Sequence, residues 1–169
     1  MKHDCYLGFY DISKLQGFWG TIIKTVSFSK VTHIAPIIKT KDDYITVVLL
    51  NGGKMRISKV SNFQKLEVKL LDCCYVGAID TSVEQILEDC EKYTQVSTWS
   101  VFWWFFFTRY FTNKYPKVCT TYTCDLFKLK YTDTLTRVIP AKLYRRLKND
   151  CNYVRWESPC WEDNSSKYT

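Results

Sequence analysis

The tripeptide Asn51-Gly52-Gly53 separates two short segments rich in β-branched and apolar residues, 44–50 and 55–60. Asn and Gly tolerate the positive φ that tight hairpin turns require, so the pattern predicts an antiparallel β-hairpin. A lone hairpin cannot bury its apolar face and needs further strands or a helix against it. Two more segments supply candidates. Residues 31–38 form an apolar run, and in 66–73 Leu66, Val68 and Leu70 alternate with Glu67 and Lys69. Pro36 lies inside the first of these, and a proline without an N–H argues for an edge strand or a bulge.

Helical periodicity surrounds this sheet. Ile12, Leu15, Phe18, Trp19, Ile22, Ile23 and Val26 recur at helical spacing across 11–27, with Asp11 placed as N-cap. Gly17 and Gly20 either weaken that helix or let another backbone approach closely. Thr81-Ser82-Val83-Glu84 fits a capping box ahead of Ile86, Leu87 and Cys90. Residues 99–111 are aromatic on all sides and fit a packed element or a partner-facing surface. A turn is expected around 113–116 and a short helix over 124–131. The helix expected over 140–148 has Pro140 at its first position and Leu143, Tyr144 and Leu147 on one face. The expected architecture is α+β, a small antiparallel sheet packed against helices. One domain covers 1–156, and 157–169 is a loosely held tail.

With 46% hydrophobic residues in 169, the chain can bury a core and does not read as disordered. The longest apolar run, 101–107, is far short of a membrane-spanning helix. The first six residues lack the apolar core of a secretory leader, so the cytoplasm, a reducing compartment, is the expected location. There the eight cysteines, Cys5, Cys73, Cys74, Cys90, Cys119, Cys124, Cys151 and Cys160, are expected as free thiols. No Cys-x-x-Cys occurs, and no metal or other cofactor is expected. The net charge of +7 permits attraction to polyanions. Apart from Lys142, Arg145, Arg146 and Lys148, however, the cations are spread out, and aromatics do not interleave with them. Nucleic acid is therefore not an expected partner.

The chemistry-bearing residues are His33 in the 31–38 strand and Cys124 at the head of the 124–131 segment. A helix start lowers a thiol's pKa and offers backbone N–H groups to an oxyanion, while an imidazole takes and returns the proton. Cys119 competes for the same role, because Cys119-Thr120-Thr121-Tyr122 could itself open the helix. A third polar group usually orients the imidazole. Thr46, Asn51 and Ser58 are on offer, with no carboxylate at an obvious place.

In order and spacing these segments resemble the circularly permuted branch of the NlpC-type papain-like superfamily, which includes lecithin:retinol acyltransferase-like enzymes and small bacterial and phage proteins. The resemblance rests on Gly20-Thr21-Ile22-Ile23, Thr32-His33-Ile34-Ala35, the 51–57 turn and strand, Thr123-Cys124-Asp125-Leu126-Phe127 and the 138–147 segment. It covers roughly residues 7 to 148. It implies a permuted papain-like fold, with a small antiparallel sheet or half-barrel against helices. It also implies Cys124 as nucleophile and His33 as base. Many relatives carry an acid or a His on the second or third strand. Here residues 44–51 contain neither, which leaves Asn51 or Thr46 as the third member. The implied activity is hydrolysis of an amide, a peptidoglycan peptide first, through a Cys-His thiolate mechanism. The missing acid keeps a second expectation open: a non-catalytic phage virion or host-interaction protein, binding a protein partner through 99–111.

Overall fold

The computed structural model describes residues 3–48, 55–66, 68–79, 85–86, 88, 98–108, 116–129, 134–150 and 155–156. Its centre is one antiparallel sheet. The strands are β1 (His3–Asp11), β2 (His33–Lys39), β3 (Tyr44–Val48), β4 (Arg56–Lys59), β5 (Lys69–Ile79) and the two-residue β6 (Arg155–Trp156). Their order across the sheet is β4-β3-β2-β1-β5-β6. The helices are α1 (Ser13–Gln16), α2 (Phe18–Ser27), α3 (Val60–Gln64), α4 (Thr98–Trp103, continued by a π-helical turn, Trp104–Thr108), α5 (Cys119–Leu126), α6 (Thr134–Val138) and α7 (Pro140–Asn149). The expected α+β class is what the chain adopts.

β1 was not expected from the sequence, yet it is central. It pairs with β2 from Cys5↔Ile38 to Tyr10↔His33 and with β5 along its whole length. A strand flanked on both sides and covered on both faces has no polar face to alternate with. Cys5, Leu7 and Phe9 point to one side, and Tyr10 to the other. All four are fully buried. The two faces carry different layers. Leu7, Phe9 and Ile34 pack with Cys124, Leu143 and Leu147 of α5 and α7. Tyr10, Ala35 and Ile37 pack with Val60 and Phe63 of α3.

The expected helix over 11–27 is two helices. Gly17, at φ +55°, breaks it in the left-handed region that glycine favours. Gly20 then lets α2 fold back on α1, because a Cβ there would lie 2.4 Å from the Ser13 carbonyl oxygen. Asp11 acts just ahead of α1. Its carboxylate accepts from the Ser13 N–H at 3.0 Å and pairs with Lys24 at 2.7 Å.

Pro36 is on neither an edge strand nor a bulge. β2 lies between β1 and β3, and what the proline interrupts is the ladder to β3. That pairing runs from Lys39↔Tyr44 to Ile37↔Thr46 and goes no further, although Pro36, Val47 and Val48 are all described. The Thr46 hydroxyl donates to the Pro36 carbonyl at 3.1 Å, a side-chain bond at the point where strand pairing stops.

The hairpin turn at 51–53, the capping box at 81–84, most of the 113–116 turn and the tail from 157 lie outside the described residues. The helix expected over 140–148 is α7, with Pro140 in its first turn.

Candidate functional site

The helix expected at 124–131 begins five residues earlier, and this changes the thiol at its head. Val118 is extended (φ −129°, ψ 168°), and Tyr122 N–H donates to its carbonyl at 3.0 Å, closing the first turn of α5. Cys119 is therefore the first helical residue, and Cys124 lies near the other end. No side chain caps this start, so the first amides are left for another acceptor. Thr121 fixes the turn instead. Its hydroxyl lies 2.9 Å from the Pro116 carbonyl and 3.2 Å from the Arg137 carbonyl, tying the helix start to the preceding loop and to the end of α6.

α5 packs on β2, whose first residue is His33. The residue before it is held firmly. Thr32 N–H donates to Tyr10 O at 2.9 Å, and Ile12 N–H donates to the Thr32 hydroxyl at 2.9 Å. His33 itself is 2% exposed, its ring centroid 6.4 Å from that of Tyr10 and 6.2 Å from that of Phe63. An imidazole walled by two aromatic rings has few orientations open to it.

The two thiols of α5 differ sharply. Burial on its own would push the Cys119 thiol up. The positive charge and the nearby ring of His33, the Ile34 N–H and the Thr120 hydroxyl, 3.8 Å from the sulfur, together outweigh that and bring it down to about 7. Cys124 has no such partners. Burial pushes its thiol up to about 12, against a weak opposing pull from Arg137, and its side chain belongs to the cluster with Leu7, Leu143 and Leu147. The structure thus places Cys119 beside His33 and puts Cys124 in the core. Cys5, Cys73 and Cys74 are also buried and form no disulfide.

The Ile34 N–H was not foreseen. It helps hold the Cys119 thiol down from a stretch of β2 past Pro36, where the described pairing with β3 has stopped, and the proline inside a strand pattern was the available signal. His33 Nε2 is buried without a hydrogen bond of regular geometry in this resting state. Its hold on Cys119 is therefore mainly electrostatic, and such contacts commonly tighten only when substrate is bound.

The third position of the expected set is not assembled among the described residues. Asn51 lies outside them. Thr46 is fully buried, but its hydroxyl donates to Pro36 O. Ser58 is on β4, its hydroxyl on Lys59 O at 3.2 Å. Among the described residues, no three His, Cys, Asp or Glu side chains cluster as metal ligands, and no helix is long and apolar enough to cross a membrane.

The site thus holds a thiol of depressed pKa at a helix start, a buried imidazole beside it and a strand amide directed at the sulfur. Compared with known protein families, curated proteins and solved structures, the chain has no match in any of the three.

Proposed function

We propose that this protein is a cysteine hydrolase that cleaves an amide bond, with Cys119 as nucleophile and His33 as general base. The observation that carries the proposal is the placement of Cys119, the first residue of α5, on the strand that carries the buried His33, which holds the thiol down near 7 against burial. At neutral pH about half of such a thiol is thiolate, against a few per cent of an ordinary cysteine. The thiolate attacks the amide carbonyl, and the resulting oxyanion meets the free amides at the start of α5. The imidazolium then protonates the leaving amine. Water, deprotonated by the same imidazole, cleaves the thioester and releases the acid. A permuted papain-like arrangement is part of the same proposal. It is supported by the strand-borne His33 preceding the helix-heading cysteine in the chain, and by the packing of α5 on β2. Peptide amides of the cell wall are the first substrates to try, on the strength of the sequence resemblance.

The test is labelling of the folded protein by iodoacetamide at neutral pH, with the site identified by mass spectrometry. Cys119 should label, Cys119→Ala should abolish the label, and Cys124→Ala should leave it. Labelling that tracks Cys124, or a Cys119 as sluggish as an ordinary buried thiol, would overturn the assignment.

A further inference from the structure

A Cys-His pair ordinarily has its imidazole oriented by a third polar group. Among the described residues none is assembled, and His33 Nε2 is buried without a hydrogen bond of regular geometry. The imidazole is nevertheless enclosed. Tyr10 stands directly opposite it in the β1–β2 ladder, so the two side chains leave the same face of the sheet, their Cβ atoms about 5 Å apart. Phe63 of α3 packs on that face. The three rings close a triangle, with centroids 6.4 Å apart for Tyr10 and His33, 6.2 Å for His33 and Phe63, and 5.2 Å for Tyr10 and Phe63. None of the three residues is more than 2% exposed. Such a wall fixes a side chain by excluding its other rotamers, which needs no hydrogen bond.

The Tyr10 ring has a seat of its own. A Cβ at Gly8 would lie 2.6 Å from Tyr10 Cε2, 2.7 Å from the Tyr10 hydroxyl oxygen and 2.8 Å from Ile37 Cδ1. Only a residue without a side chain lets the phenol lie back along β1 so closely. The hydroxyl is thereby carried over Gly8, whose ladder partner is Ala35, two residues from His33. It is buried without a hydrogen bond of regular geometry, and burial pushes it above its ordinary range, so it stays neutral. The titratable groups against the imidazole are thus Tyr10 on β1 and Cys119 on α5, with Phe63 contributing a ring alone.

We propose that Tyr10 and Phe63 are positioning residues for His33. Their rings, in place of a third polar group, hold the imidazole in the orientation that serves Cys119, and the Tyr10 hydroxyl takes no part. This rests on the reading of Cys119 and His33 as nucleophile and base.

The experiment is the pH profile of iodoacetamide labelling at Cys119 in the full chain. The midpoint is read, because a rate at one pH also reports access to the sulfur. Tyr10→Leu and Phe63→Leu should each raise the midpoint, so that the thiolate share at pH 7 falls by about fivefold or more. Tyr10→Phe keeps the ring and should keep the midpoint. Phe9→Leu makes the same change at a fully buried ring on the other face of the sheet, packed with Leu7 and Leu143. It should lower stability and leave the midpoint in place. Circular dichroism confirms that each variant is folded, and if Tyr10→Leu is not, Phe63→Leu decides. A midpoint unmoved by the Leu variants, or moved as far by Phe9→Leu, would overturn the proposal. A midpoint moved as far by Tyr10→Phe as by Tyr10→Leu would also overturn it, by making the hydroxyl the orienting group. All of these outcomes leave Cys119 and His33 as the reacting pair. An unsubstituted protein whose Cys119 midpoint is that of an ordinary thiol overturns that pair, and this proposal with it.

Discussion

Helices α4 and α5 invert each other. α5, with the sequence CTTYTCDL, buries Cys119, Thr120, Thr121, Thr123 and Cys124. α4 and its continuation, rich in Trp and Phe, leave four large rings at least half exposed. Hydrophobic burial alone predicts the reverse, since Thr gains little from burial and Trp and Phe gain most. In each case the anomaly coincides with a specific construction. The polar residues of α5 hold a thiol beside an imidazole, and the rings of α4 form one outward stripe. Local choices that contradict the general rule for a fold are where function is to be sought.

The sharpest way to break this comparison is at His33. His33→Ala removes the largest of the contributions that together outweigh burial at Cys119, so the thiol should titrate above its ordinary range instead of near 7. Thiolate at neutral pH should fall from about half to about 1%, and alkylation at pH 7 should slow about 50-fold. The two proteins should converge as pH rises past the higher value, because both are then thiolate. A pH profile of iodoacetamide labelling checks this, and an unchanged profile would remove His33 from the site.

Stability should give a smaller but opposite contrast between the helices. Thr121→Val leaves the Pro116 and Arg137 carbonyls without their shared hydroxyl, which should cost about 1–2 kcal/mol in urea unfolding. If instead the cost is negligible, the start of α5 is held by packing and its buried threonines are incidental. The smallest effect belongs to α4. Phe107→Ser should change stability by no more than about 0.5 kcal/mol, since its ring is half in solvent already. A loss of about 2 kcal/mol or more would mean that the stripe contributes to folding as much as a buried face does.

What the sequence revealed follows from which signals are local. The strands now seen at 33–39 and 44–48 were legible because runs of β-branched residues are a short-range feature, and α7 announced itself with Pro140. β1 escaped because a strand buried on both faces lacks alternation, and Gly8 in its middle reads as a breaker. The start of α5 was misplaced for a related reason. Thr120, Thr121 and Thr123 are poor helix formers, and Val118 offers no capping side chain. Tertiary contacts to Pro116, Arg137 and β2 place the helix, and none of them is visible in a window of neighbouring residues. Of the site, His33 on its strand was legible. Cys119 was visible only as one of two alternatives, and the Ile34 amide not at all.

Pro36 touches neither the sulfur nor the imidazole, yet it works like a missing tooth in a zipper. Strands β2 and β3 close from the Lys39↔Tyr44 end and stop one step short of it. Ile34, on the open side of that stop, has an N–H that helps hold the Cys119 thiol down. The reactivity of Cys119 is in part set by a hydrogen that proline does not have.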